Sequence, residues 1–291
     1  MGSIAVGVLV LGGKLVAARV SGSTALFSDA LESLVNVASS GLALYALIIG
    51  AKPADEQHNY GHAKAELLSA MATGAMILVA AVLIFQRAGA ELWYPHELEP
   101  LTGGLGAGLA INGLAGCVNA LWAALLHYIG RRDRSPALLA DAQHLFSDVL
   151  TTIGVLVALL AAAWAHLPIL DPLIALGLAV QIAIMGARTI LQAVSGLLDE
   201  APPPETTERI QKLVRMHGAG AIEAHDLRVR QAGPASFLEF HLVVPGAMSV
   251  SEAHNICDRI EAALKKEMDG VVITIHVEPE MKAKHEGVLL Q

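Results

Sequence analysis

The 291-residue sequence predicts an α-helical membrane protein, in which six transmembrane helices are followed by a small cytoplasmic α+β domain. Hydrophobic residues make up 54% of the chain and charged residues only 16%, whereas soluble domains carry about 25% charge. The 19 basic and 27 acidic residues are unevenly spread, because half of them lie in residues 202–291. Apolar windows of the length that a bilayer requires, about 20 residues, all lie before that segment.

The apolar windows are joined by short segments, except after the second and after the third. We expect the first window to be a span rather than a cleavable signal, because no basic stretch precedes it. The windows are approximately Ile4–Val20, Ala25–Ile49, Leu67–Phe85, Leu105–Leu126, Leu138–Ala165 and Leu173–Ala187. We therefore predict a membrane domain at residues 1–201 and a cytoplasmic domain at residues 202–291.

Basic residues lie in the loops on one side of the predicted membrane domain. Lys52 and Lys64 follow the second window, and Arg131, Arg132 and Arg134 follow the fourth. Lys/Arg-rich loops stay on the cytoplasmic side. Both termini are therefore expected in the cytoplasm.

The segment after the spans opens with three consecutive prolines from Pro202, where a helix cannot continue. Its periodicity predicts the order αββαβ, a small α+β sandwich, with Ser249 or Ser251 as the cap of the second helix. The expected elements are Glu205–His217, Ala224–Arg230, Ser236–Val244, Ser249–Lys266 and Val271–Val277.

Cysteine content and net charge exclude several classes of protein. Cys117 and Cys257 are the only cysteines in the sequence, too few for a disulfide scaffold or a Cys-rich zinc module. The net charge of −8 argues against a nucleic-acid binder, for which a basic patch is expected.

Polar residues interrupt the second and fifth windows at the same helical spacing. Residues three and four apart share one helix face, and charged groups inside a bilayer normally line a pathway. The two series are Asp29, Glu32, Asn36 and Asp141, His144, Asp148. A divalent metal could bind between the two helices at Glu32, Asn36, His144 and Asp148. The alternative is hydrogen bonding between helices, and Asp29 and Asp141 could be pathway or helix-end charges.

Two further groups of residues have metal-ligand chemistry. In the loop after the second window, Asp55, His58 and His62 could converge on one ion if the loop turns tightly; the alternative is a solvated loop. Several histidines lie on or beside the predicted strands of the tail, where they could form a metal cluster or be ordinary surface residues. The tail candidates are His225, His241, His254, His276 and Glu278.

These motifs together resemble the cation diffusion facilitator family, and within it the bacterial YiiP-type zinc and iron efflux transporters. The resemblance runs from Ser21 to Glu278. It rests on Ser33-Leu-Val, on the string from Pro53 to Glu66 with its Gly-His-Ala-Lys-Ala-Glu end, on His144-Leu-Phe-Ser-Asp148 and on the string from Ala224 to Gly233.

The resemblance implies a homodimer in the bacterial inner membrane that exchanges divalent cations for protons, with a tail domain of ferredoxin-like or metallochaperone-like fold. It implies transport ligands at Glu32, Asn36, His144 and Asp148, and metal sites in the loop and in the tail. It also implies a charge interlock between protomers formed by Lys64 and Asp199; two independent charges are the alternative. Zinc is the expected transported ion, protons are the expected counter-substrate, and the lipid bilayer is the remaining expected partner.

One departure concerns the second window, where family members usually carry Asp or His first and Asp second. This chain has Glu32 and Asn36 instead, so Fe2+, Mn2+, Co2+ and Cd2+ remain alternatives to Zn2+. A membrane metal sensor or scaffold is a competing function, as is an intramembrane metalloenzyme. The sequence disfavours the enzyme because no His-Glu-x-x-His motif is present.

Overall fold

The computed structural model describes residues 2–94, 104–132, 136–232, 235–268, 270–285 and 287–290, with the backbone alone at 130, 136–141, 143, 144 and 235. Six of the described helices are long and apolar enough to cross a membrane. They are α1 Gly2–Ser21, α2 Thr24–Gly50, α3 Ala65–Trp93, α4 Leu105–Arg132, α5 Pro136–Trp164 and α6 Leu170–Leu197. The predicted fold class is confirmed.

Small residues let the long helices approach closely. At the contact between α3 and α6, a Cβ added to Gly74 would lie 2.6 Å from Ile190, and one added to Gly186 would lie 3.0 Å from the carbonyl oxygen of Gly74. Lipid supplies no hydrophobic drive for helix association, so such close packing supplies the attraction. Ala80 and Ala179 are buried in the same core.

The segment after the spans forms the predicted αββαβ order and a short additional strand. Its elements are α7 Pro204–His217, β1 Glu223–Ala232, β2 Ala235–Val244, α8 Val250–Glu267, β3 Val271–Pro279 and β4 Val288–Leu289. The sheet order is β3-β2-β1-β4. Ile210, Leu242 and Ile260 are buried in the core that the helices and the sheet share. β4 was not predicted from the sequence, because a strand of two residues is too short to show a periodicity.

Strand register places three histidines in one row across the sheet. β1 pairs antiparallel with β2, where His225 lies opposite His241. β2 pairs parallel with β3, where His241 lies opposite His276. Since alternate residues of a strand share a face, Glu278 projects from the same face as His276.

The chain divides into two compact units. The first comprises residues 1–45 and 69–191. The second comprises residues 46–68 and 192–291, so the loop between α2 and α3 belongs with the tail.

Candidate metal sites

The candidate transport site joins α2 to α5 in the first compact unit. The Asn36 amide Nδ2 donates a hydrogen bond to Asp148 Oδ2 at 3.0 Å. Glu32 lies one turn before Asn36, and both are half-buried, while Asp148 is buried. The predicted pairing of polar faces from these two helices is therefore present at Asn36 and Asp148.

Two members of the polar series lie outside the residues whose side chains are described. His144 and Asp141 are both on α5, one and two turns before Asp148, where the structure gives the backbone alone. Residues four apart on a helix share a face, so His144 follows the same helix face as Asp148.

A buried ion pair lies one turn before Glu32 on α2, and its basic member was not predicted from the sequence. Lys14 Nζ on α1 is 2.7 Å from Asp29 Oδ1, and both side chains are 2% exposed. Asn112 Nδ2 donates to Asp29 Oδ2 at 2.9 Å, and Lys14 also donates to Thr152 Oγ1 at 3.0 Å. Asp29 thus has charged and polar partners from three other helices. A lone lysine within the first apolar window was the signal that could have found this pair.

The loop candidates Asp55, His58 and His62 converge as predicted, and their ligand atoms lie within 4.8 Å of one another. His58 Nδ1 is 3.2 Å and His62 Nε2 is 3.4 Å from the Asp55 carboxylate. The backbone N–H of His58 donates to Asp55, and this hydrogen bond holds the pKa of Asp55 below its ordinary value. Gly61, at φ +79°, makes the tight turn between the two histidines.

The tail candidates His225, His241 and Glu278 also converge, with ligand atoms within 4.8 Å of one another. Glu278 Oε2 is 3.4 Å from His225 Nε2, while its Oε1 is 3.5 Å from His241 Nδ1 and 3.7 Å from His276 Nε2. One carboxylate therefore lies among the three histidines that the sheet aligns. His254 is elsewhere, on α8, with its Nε2 3.6 Å from Asp258.

Buried nitrogen atoms without partners are compatible with a divalent cation at these clusters, most directly at the tail cluster. His225 Nδ1 and Nε2 and His62 Nδ1 are buried and have no hydrogen-bond partner. Buried polar atoms without partners are rare in folded proteins, and a coordinated cation would satisfy such nitrogens. Imidazole nitrogens with a carboxylate suit zinc and other first-row divalent metals.

Acidic residues around the tail cluster were not found from the sequence. Glu223 is fully buried, with Oε1 3.3 Å from His225 Nδ1 and Oε2 accepting from the backbone N–H of His285. Asp226 lies 3.8 Å from His241 Nδ1 and pairs with Lys284, which holds the pKa of Asp226 below its ordinary value. Metal-binding histidines are commonly oriented by such carboxylates.

Lys64 and Asp199, the predicted interlock residues, form an ion pair within one chain. Their charged atoms are 3.0 Å apart, and hydrogen bonding to Lys64 lowers the pKa of Asp199. Arg230 Nη1 is 3.5 Å from the same carboxylate. The Arg230 guanidinium also lies over the rings of Phe237, at 4.2 Å, and Tyr60, at 5.2 Å.

The chain is similar to known proteins over almost its whole length. Residues 2–198 match the family described as "Cation efflux transmembrane domain", and residues 202–280 match "Cation efflux protein, cytoplasmic domain". An uncharacterized transporter of Synechocystis is 39% identical over 95% of this chain and 88% of its own. The cation-efflux pump FieF of Serratia proteamaculans is 34% identical over 91% of this chain and 87% of its own.

A solved structure of the metal-bound C-terminal domain of the CzcD transporter from Thermotoga maritima is 27% identical, with a TM-score of 0.26. The match covers 28% of this chain and 99% of that domain.

Proposed function

Because the chain belongs to the cation diffusion facilitator family of divalent-metal efflux transporters, we propose that it is a proton-coupled antiporter. Like its relatives, it is a transporter and not an enzyme. The observation that carries the proposal is the hydrogen bond between Asn36 and Asp148, which joins two apolar helices through polar side chains. Such groups within a bilayer are costly unless they serve a pathway.

Metal binding and proton binding compete at this site. Glu32 and Asp148 must be ionised, and His144 must be neutral, before they bind a cation. Histidine is the side chain whose ordinary pKa, ~6.5, lies nearest to neutrality, so a histidine ligand is suited to proton exchange at a transport site. Metal entry then expels protons, reprotonation expels the metal, and alternating exposure of the site to the two membrane faces gives antiport.

Zinc is the proposed main substrate, because one imidazole with carboxylate oxygens is a ligand set that zinc accepts. Oxygen ligands dominate the set, however, and Asn36 contributes no charge. Fe2+, Mn2+, Co2+ and Cd2+ are therefore alternative substrates.

The working form proposed is a homodimer in the bacterial inner membrane, with both termini in the cytoplasm. The match of residues 202–280 to the cytoplasmic dimerisation domain of this family supports the dimer. Lys64 and Asp199 would then lie where two protomers interlock. The loop cluster and the tail cluster bind metal on the cytoplasmic side, where they would stabilise or regulate the dimer.

Metal uptake by reconstituted vesicles under an imposed pH gradient tests the antiport. We expect Asp148→Ala and His144→Ala to abolish zinc transport, because each removes a proposed ligand, while the chain still inserts into the membrane. Ser147→Ala is the matched control, since Ser147 is an exposed neighbour on the same helix. Transport by either ligand variant at the rate of the unmodified chain would remove this site from the mechanism. Zinc transport that ignores the pH gradient would remove proton coupling.

A further inference from the structure

One buried polar side chain in the membrane unit has no role in the sites described above. Asn119 lies on α4, an apolar helix, and is only 5% exposed. No hydrogen bond joins its amide to another residue of the described part of the chain. Its amide atoms are not among the fully enclosed unpaired atoms of the described residues, so the amide opens onto free space rather than being sealed between helices.

Asn112, on the same helix, is an amide that joins two helices through a hydrogen bond. It lies two turns before Asn119, so both project from nearly the same helix face. Asn112 is fully buried; its Nδ2 donates to Asp29 within the Lys14 ion-pair network, while its Oδ1 is buried without a partner. Asn112 therefore ties α4 to α2, whereas Asn119 has no such bond.

Asn119 lines a small cavity that it shares with the candidate transport site. The cavity has a volume of about 50 Å³, which is room for a cation with a few water molecules. Its polar lining comes from α1, α2, α4 and α5. These lining residues are Ser3, Ser33, Asn36, Ser40, Asn119 and Asp148.

The charge and ligand chemistry of this cavity suit a cation. Asp148 supplies a carboxylate, and Asn36 turns its NH2 group toward Asp148, which leaves the Asn36 carbonyl oxygen as the acceptor of that side chain. Asn119, which lines the same cavity from α4, can offer a second neutral oxygen. Carboxylate and carbonyl oxygens favour harder ions such as Mn2+, while Zn2+ binds better to imidazole and thiolate.

We propose that Asn119 is a cation contact of the membrane unit, and that its amide oxygen widens the range of transported metals toward harder ions such as Mn2+. The inference rests on the proposed transport function, because it adds a ligand to the same pathway. It assigns α4 a direct part in cation selection, beside α2 and α5.

Transport of Mn2+ and of Zn2+ by the full-length chain in vesicles, with Asn119→Ala, tests the proposal. We expect kcat/KM for Mn2+ to fall by about tenfold or more, the effect typical of losing a supporting ligand, and that for Zn2+ to fall much less. Asn119→Asp should restore Mn2+ transport, because it returns an oxygen ligand to the position. Asn112→Ala is the matched control: it removes an amide from the same helix outside the cavity, and should lower thermal stability without changing the Mn2+/Zn2+ ratio.

Three results would overturn the proposal. One is an unchanged Mn2+/Zn2+ ratio in Asn119→Ala. Another is an equal loss for both metals that follows the loss of thermal stability, as in Asn112→Ala. Mn2+ binding, measured from its electron paramagnetic resonance spectrum in detergent, separates this inference from the transport function. If the unmodified chain binds Mn2+ but transports no metal, the proposed antiport is wrong. The proposal for Asn119 then still requires Asn119→Ala to weaken Mn2+ binding by about tenfold. The third contrary result is a Mn2+ affinity that Asn119→Ala leaves unchanged.

Discussion

Asn36 donates its amide to Asp148 at 3.0 Å, so only its carbonyl oxygen remains to contact a cation. The side chain therefore holds the Asp148 carboxylate in place and contributes no charge of its own. An ionised carboxylate in place of Asn36 has no hydrogen atom to donate, so it would repel the Asp148 carboxylate. The same residue thus sets both the charge of the site and its geometry when no metal is bound.

Asn36→Asp should tighten divalent metal binding by about tenfold or more and release more protons on binding, because carboxylates are better ligands than amides and a new group titrates in the site. Isothermal titration with zinc in buffers of different ionisation enthalpy measures both quantities. Asn36→Ala is the companion variant and should weaken binding. Unchanged affinity in both variants would show that Asn36 is no ligand and only joins α2 to α5.

Lys14 and Asp29 form a buried ion pair in the membrane unit, and each side chain is 2% exposed. Lys14→Met should destabilise the chain by about 3–5 kcal/mol, because it leaves a buried carboxylate uncompensated. Lys14→Met combined with Asp29→Asn should recover much of this loss, since no net charge then remains. Thermal unfolding in detergent measures both, with exposed Arg19→Met as the control. A single variant as stable as the unmodified chain would mean that Asp29 finds another partner.

The elements themselves were largely predictable from the sequence, because spans and amphipathic helices carry strong patterns. Several helices extend beyond the predicted windows, most of all α6, which ends at Leu197 and not at Ala187; Arg188, Gln192 and Ser195 lower the hydropathy of that last part. Contacts between elements were less predictable. Lys14, Asn112 and Glu223 become significant only when helices or strands bring partners from distant parts of the chain.

The start of α8 shows how the structure decides between two predicted caps. Ser249 Oγ accepts the backbone N–H of Glu252 at 3.2 Å, and the Glu252 carboxylate accepts the backbone N–H of Ser249 at 2.9 Å. This reciprocal arrangement is a capping box. Ser251 lies inside the first turn and is exposed.

Ser249→Ala should destabilise the tail domain by about 1 kcal/mol at pH 7, whereas Ser251→Ala should leave it nearly unchanged. Hydrogen bonding from Ser249 lowers the pKa of Glu252 below its ordinary value of 4.5. A lowered carboxyl pKa stabilises the folded state above the unfolded pKa, and this contribution is lost as the pH falls through the folded value. The difference between the two variants, measured by hydrogen exchange of the first turn of α8, should therefore shrink below about pH 4. A difference independent of pH would exclude a contribution from the Glu252 carboxylate.

At the scale of the whole molecule, the loop between α2 and α3 belongs to the same compact unit as the tail. Lys64 comes from that loop, Asp199 follows α6 and Arg230 lies on β1, and their charges meet at one carboxylate. Asp199 adopts φ +59°, a left-handed conformation that cannot continue the helical path of α6. This meeting of three segments follows from the fold and has no local sequence pattern.

Reversing one charge, in Lys64→Asp or Asp199→Lys, should lower the dimer fraction in detergent, and the double exchange should restore part of it. Both side chains are more than one third exposed, so the pair is expected to contribute less than about 1 kcal/mol, or no more than about fivefold in the dimerisation constant. Because Lys64 lowers the pKa of Asp199 within one chain, the contribution of this pair to folding is present above the ordinary value of 3.8 and lost below the lowered one. Light scattering measures the dimer, and Lys52→Asp in the same loop is the control. Dimers unaffected by either reversal would restrict the pair to a contact within one chain.

The Arg230 guanidinium over Phe237 and Tyr60 bears on how this protein can be shortened. A chain shortened to residues 1–201 would keep all six spans but would lack Arg230 and Phe237. Tyr60 would then lose its contacts with these two side chains, and Asp199 would keep Lys64 but lose Arg230. The loop that holds Asp55, His58 and His62 would lose packing on the same side. A minimal transporter made by trimming the tail would therefore carry an altered loop metal site, and any activity lost could not be assigned to the tail histidines alone.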